Sequence, residues 1–273
     1  MVHARGFLQQ AATLTALVLL AGCAAQPLDL AKASAGSPLK PVAVSTSTFT
    51  LQTLQPLAVN SKRLRVYIEG DGRAWITSRT VSNDPTPTTS MTLGFALSDP
   101  QPSVYMARPC QFIRSANCTQ SVWTTARFSN AVVQAQSEVL DALKARYGVQ
   151  GFELVGYSGG AAVALLLAAR RSDVLQVQTL AGNIDPLAWT QLKVLTPLSG
   201  SLNPADYAEQ LTKLPQRHFI GANDKVVPQA VSEAYLRKVR PSCSETVSVQ
   251  ADHHSGFEAS WLANRNRAIT CGN

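Results

Sequence analysis

The sequence predicts an α/β protein built on a mostly parallel sheet with helices on both faces. Apolar, β-branched-rich segments recur at 49–54, 64–68, 104–107, 152–155, 174–180, 218–221 and 246–249. Helical patterns fall between them at 130–147, 161–170, 229–238 and 257–267. Strands alternating with helices imply a parallel sheet whose chemistry sits at the carboxyl ends of the strands. The third observation is local: Gly156-Tyr157-Ser158-Gly159-Gly160 lies where an apolar strand stops and an alanine-leucine helix begins. A serine at the apex of so sharp a turn is forced into a strained backbone that glycines two residues on either side accommodate.

The chain opens with Arg5, a short apolar stretch from Ala11 to Leu20, and Leu20-Ala21-Gly22-Cys23. That core is far short of the ~20 residues a spanning helix needs. The segment resembles a bacterial lipoprotein signal, which implies a signal peptide over 1–22 and a mature chain beginning at an acylated Cys23. Acyl chains would then hold the protein on a membrane. Ala24 stands where aspartate marks inner-membrane retention in enteric lipoproteins, so the expected location is the outer membrane, facing the periplasm. Residues 23–48, rich in Ala, Ser, Thr and Pro, read as a flexible tether with a reach on the order of 25–30 Å. Residues 49–273 are enough for one domain with a substantial core, and no repeat or second domain is evident.

The formal charge of +7 is spread along the chain, which gives nucleic-acid binding little support. Setting Cys23 aside leaves Cys110, Cys118, Cys243 and Cys271, an even number that suggests two disulfides and does not resemble a zinc site. No metal or organic cofactor is expected.

An activated serine needs a base within hydrogen-bond reach and a carboxylate to orient it. Of four histidines, His3 belongs to the signal and His218 begins a strand, at the wrong end of the sheet. His253 and His254 follow the last strand, in Asp252-His253-His254-Ser255-Gly256. His253 is preferred and His254 is the alternative. Asp224, just past the 218–221 strand, is the expected acid, and it gives the chain order Ser, Asp, His. Asp185, after the preceding strand, is the second choice, with helix capping or an Asx turn as its expected role.

The order of elements and the glycine-flanked serine resemble the α/β-hydrolase fold from Phe49 onward. More narrowly, Tyr67-Ile68-Glu69-Gly70-Asp71-Gly72, Ala107-Arg108-Pro109-Cys110 and Ser201-Leu202-Asn203-Pro204 resemble a group of bacterial α/β-hydrolase-like lipoproteins, a match that implies a fold and a site but no substrate. The resemblance implies a serine hydrolase that cleaves a carboxylic ester, from a small molecule or a lipid, through an acyl-enzyme on Ser158. A thioesterase, amidase or peptidase would use the same triad. A lipoprotein that kept the fold and only binds an envelope ligand or partner is the alternative.

Oxyanion donors are expected at the Gly159 N–H and in the Gly70-Asp71-Gly72 turn, chiefly at the Asp71 N–H. Glu69 occupies the position where many relatives place histidine, so the Glu69 and Asp71 side chains should point away from the oxyanion, toward Arg73 or Arg108. Trp75, Trp123 and Trp189 could line a pocket or belong to the core, and 183–215 should form a small cap or irregular loop over the site.

The strand order also bears on the disulfides. Cys110 and Cys118 share a loop at the carboxyl edge, whereas Cys243 precedes the last strand and Cys271 follows the returning helix, both at the opposite edge. A cross-pairing would span a strand length, roughly 17–20 Å, while bridged Cα atoms lie within about 7 Å. Cys110–Cys118 and Cys243–Cys271 are therefore expected.

Overall fold

The computed structural model describes residues 26–271. The signal segment expected over 1–22 and the acylation site Cys23 lie outside the described residues. In chain order the elements are α1 (Leu30–Ala33), β1 (Lys40–Ser45), β2 (Thr50–Gln55), β3 (Arg63–Ile68), α2 (Met91–Leu97), β4 (Ser103–Met106), α3 (Gln120–Trp123), α4 (Asn130–Tyr147), β5 (Gly151–Tyr157), α5 (Gly159–Ala168), β6 (Val174–Leu180), α6 (Pro186–Leu192), α7 (Ala208–Leu211), β7 (Gln216–Gly221), α8 (Gln229–Val239), β8 (Ser244–Val249) and α9 (Glu258–Asn264). The strands form one sheet in the order β1-β2-β4-β3-β5-β6-β7-β8. β1, β2 and β4 are joined antiparallel, and every pairing from β4 across to β8 is parallel.

Strand alternation explains the two core layers. On one face Leu64, Val66 and Ile68 meet α4, α5 and α8; on the other Tyr67 and Tyr105 meet α2 and α9. Trp261 of α9 is the centre of the second layer, stacked on Phe95 and edge-on to Tyr67 and Phe219. Helix α4 covers the range expected from its pattern. Ser129 caps its start, accepting from the Val132 N–H at 3.3 Å, and Gly148 ends it with φ +65°.

One expectation is corrected. The tether expected over 23–48 is not flexible throughout: Asp29 caps α1, and Lys40–Ser45 pairs residue for residue with β2 as the edge of the sheet. The turn is closed by Thr46, whose N–H and Oγ1 both donate to the Phe49 carbonyl, at 2.8 and 2.7 Å. This edge strand buries little of its own surface, so its small and polar composition resembles coil, and Pro41 is tolerated because an edge strand has an unpaired side. Ladder pairing holds it, which composition does not register.

At the amino end of the sheet, two buried arginines hold the returning chain. Arg217 pairs with Glu245 at 3.0 Å and donates to the carbonyls of Asn264, Arg267 and Ala268 at 2.8–3.0 Å. Arg65 bridges Asp99 and Glu153, each at 2.9 Å, and reaches the Arg265 carbonyl. These donors satisfy carbonyls that α9 leaves open at its C-terminus. Disulfides join Cys243 to Cys271 and Cys110 to Cys118, in the pairing expected.

Candidate active site

Ser158 sits between β5 and α5 with φ +50° and ψ −118°, a backbone that side chains normally resist. The turn is possible because its flanks lack Cβ atoms. A Cβ at Gly156 would lie 2.5 Å from the Ala161 Cα, and one at Gly160 would lie 2.4 Å from the Ile68 carbonyl oxygen. Neighbouring strands fix the turn from outside, since the Ser158 N–H donates to the Leu180 carbonyl and the Asn183 N–H to the Ser158 carbonyl.

The serine hydroxyl is 3.0 Å from His253 Nε2, and His253 Nδ1 is 2.7 Å from Asp224 Oδ2. The Asp224 carboxylate can only accept, so Nδ1 carries the proton and Nε2 is left to accept from Ser158 Oγ–H. Asp224 follows β7, and its other oxygen accepts from the Val226 and Val227 N–H groups at 2.8 Å each, which fixes the carboxylate in place. Both side chains are buried. The Tyr157 hydroxyl donates to the His253 carbonyl at 3.0 Å and lies 3.2 Å from His254 Nδ1, so His254 sits on the exposed side of Tyr157 while His253 faces the serine.

The remaining candidates are elsewhere. Asp185 caps α6, accepting from the Ala188 N–H at 3.1 Å and the Asn203 amide at 2.8 Å. His218 lies within β7, 2.9 Å from Thr179 Oγ1, and burial pushes its pKa down to about 4, leaving it neutral.

The turn after β3 is held shut from several sides. A Cβ on Gly70 would strike the Tyr157 ring at 2.9 Å, and Gly72, with φ +62°, has the Pro85 carbonyl where a Cβ would go. Glu69 is buried and accepts from the Tyr105 hydroxyl at 2.8 Å, the Gly70 N–H at 2.7 Å and the Ser90 hydroxyl. Desolvation pushes its carboxyl up despite these donors. Its partners are thus neutral groups and not the arginines expected.

Asp71 departs further from expectation. It pairs with Arg108 at 3.2 Å, as foreseen, and with Arg127 at 2.6 Å, which was not. Instead of turning away from the serine loop, its carboxylate covers Gly159, where a Cβ would fall 2.1 Å from Asp71 Oδ1. Desolvation favours the protonated acid, but the charges of Arg127 and Arg108 outweigh it and hold the pKa below the usual range. Arg127 carries no sequence motif; it reaches Asp71 from a loop 56 residues away, and no local pattern could have found it.

These groups open onto a cavity of about 420 Å³. Trp75, Met91, Tyr157, Trp189, Val226 and Val227 supply its apolar walls, and Ser158, His253, His254, Arg73, Arg127 and Asn183 much of its polar lining. Trp189 is held by its indole N–H, which donates to the Val226 carbonyl at 2.8 Å. Trp123 belongs to the core, donating to the Ser82 carbonyl at 3.1 Å. Among the described residues no cluster of three or more His, Cys, Asp or Glu could hold a metal ion, and no helix is long and apolar enough to cross a membrane.

The architecture is shared with many solved structures, among them the following two. An esterase from Pyrococcus furiosus superposes with a TM-score of 0.61 at 15% identity, covering 89% of this chain and 93% of that one. An alpha-beta serine hydrolase homologue from Coxiella burnetii superposes with a TM-score of 0.56 at 18% identity, covering 84% and 97%. Likeness at such identities speaks for the fold alone, here the α/β-hydrolase fold. No curated protein matches the sequence. The family model described as Serine hydrolase (FSH1) matches residues 99–263, more than half of the chain and a span that takes in Ser158, Asp224 and His253. By that match the chain belongs to the FSH1 serine hydrolase family.

Proposed function

We propose that this serine hydrolase cleaves a carboxylic ester through an acyl-enzyme on Ser158. The observation that carries the proposal is the hydrogen-bonded chain from Ser158 through His253 to Asp224, set on a strained turn at the cavity floor. His253 Nε2 takes the hydroxyl proton as Oγ attacks the ester carbonyl, and Asp224 stabilises the imidazolium that results. The same proton then goes to the departing alkoxide. Water, activated by His253, releases the acid and restores the serine.

The tetrahedral oxyanion needs donors in place beforehand. Gly159 is the first residue of α5, so its N–H has no intrahelical acceptor. The Asp71 N–H is the second donor in this reading. The Gly70 N–H is already given to Glu69.

Hydrolysis of a 4-nitrophenyl ester series tests the proposal. Ser158→Ala and His253→Ala should each lower kcat on the order of 10⁴-fold or more, with the fold intact by circular dichroism, while His254→Ala should stay within tenfold. Undiminished turnover by folded Ser158→Ala protein would refute the mechanism.

The Leu20-Ala21-Gly22-Cys23 motif supports the further reading that acyl chains on Cys23 anchor the enzyme to a bacterial outer membrane, facing the periplasm. Labelled palmitate should enter the wild-type chain and not the Cys23→Ser form. Equal labelling of both would remove the anchor from the account.

A further inference from the structure

One carboxylate at the cavity wall is matched by two guanidinium groups. Asp71 already has Arg108, which is buried behind it, yet Arg127 also pairs with it from the cavity side. The trio therefore carries one positive charge in excess. Arg127 is committed only in part: Nε donates to the Thr124 carbonyl and Nη1 to Asp71, both at 2.6 Å, while among the described residues Nη2 has no hydrogen-bond partner. The side chain is 7% exposed, and its Cζ lies over the Trp189 ring, 5.9 Å from the ring centre. A guanidinium held so firmly, with one edge unused and beside the nucleophile, has the form of a receptor for an anionic oxygen group.

The neighbouring groups agree. Glu69, the other carboxyl on this wall, is taken up by the Tyr105 and Ser90 hydroxyls and the Gly70 N–H and forms no ion pair with either arginine. A purely structural ion pair explains one arginine, but a second one brought to the cavity wall leaves a desolvated charge without its counterpart, an arrangement that costs stability unless a ligand supplies one.

We infer that the esters turned over here carry a second, anionic group, a carboxylate, and that the Arg127 guanidinium binds it. This rests on the proposed ester hydrolysis at Ser158, and Arg127 acts in it as a specificity residue. A charge-assisted hydrogen bond formed out of water corresponds to a factor of about 10–100 in binding.

The test compares matched pairs: 4-nitrophenyl hexanoate with the mono-4-nitrophenyl ester of adipic acid, and phenyl acetate with 4-acetoxybenzoate. In at least one pair the charged member should have the higher kcat/KM, chiefly through KM. Arg127→Gln should lower the charged-to-neutral ratio by about 10–100-fold, and Arg127→Lys should retain part of it. Turnover that depends on Ser158 but shows no charged preference, or a preference that survives Arg127→Gln, would overturn the inference and leave the proposed function standing.

A binding measurement covers two other cases, an Arg127 variant that fails to fold and a wild-type enzyme that cleaves none of these esters. Trp75 and Trp189 line the cavity, so tryptophan fluorescence of Ser158→Ala protein can be titrated with monomethyl adipate and with dimethyl adipate. Tighter binding of the anion by tenfold or more supports the inference, and equal or weaker binding overturns it.

Discussion

Ser158, Asp224 and His253 were legible because each stands just past the carboxyl end of a strand, and the strands themselves were legible as apolar runs. His253 and His254 differ by one residue of register, and it is His253 that lies against Ser158, while Asp252 accepts from the His254 and Ser255 N–H groups at 2.8 and 2.9 Å. The surroundings of Asp71 were hidden for a different reason. A buried arginine looks like any surface arginine in a single sequence, and Arg108 and Arg127 meet Asp71 only after three separate loops have folded together. Glu69 was placed in the right turn, but its acceptance of bonds from Tyr105 and Ser90 depends on β4 and the start of α2 lying alongside.

Strands β2 to β8 and helices α4, α5, α8 and α9 were found, whereas β1 and the shorter helices α1, α2, α3, α6 and α7 were missed. The 152–155 run is apolar except at Glu153 and α5 behind it is apolar throughout, whereas the side chains of β1 are largely exposed. The segment before β2 is structural all the same, since Leu30 and Leu39 are buried in the second core layer. Burying two leucines is worth roughly 3–6 kcal/mol. A chain beginning at Phe49 should therefore melt on the order of 10 °C below one beginning at Gln26, and should aggregate more readily through the uncovered edge of β2. Equal melting temperatures in thermal denaturation would show that 26–48 is the dispensable tether its composition suggests.

Across the whole molecule the two ends of the sheet divide the labour. At the amino ends, Arg65, Arg217 and the Cys243–Cys271 bridge hold the last helix and the chain beyond it against the strands. At the carboxyl ends, loops after β3, β5, β7 and β8 meet around a strained serine and a charged wall. The polarity of a parallel sheet dictates that division, which is why an order of elements read from sequence could locate a site without naming its substrate.

The central claim is that Ser158 is an activated nucleophile, and the most direct measurement is mass-spectrometric mapping of the adduct left by a fluorophosphonate probe. One adduct per chain is expected on the peptide containing Gly156-Tyr157-Ser158-Gly159-Gly160, absent from Ser158→Ala protein and slowed by at least 10³-fold in His253→Ala protein, as loss of the general base requires. Folded wild-type protein that takes no label, or an adduct mapped to any other residue, would contradict the account.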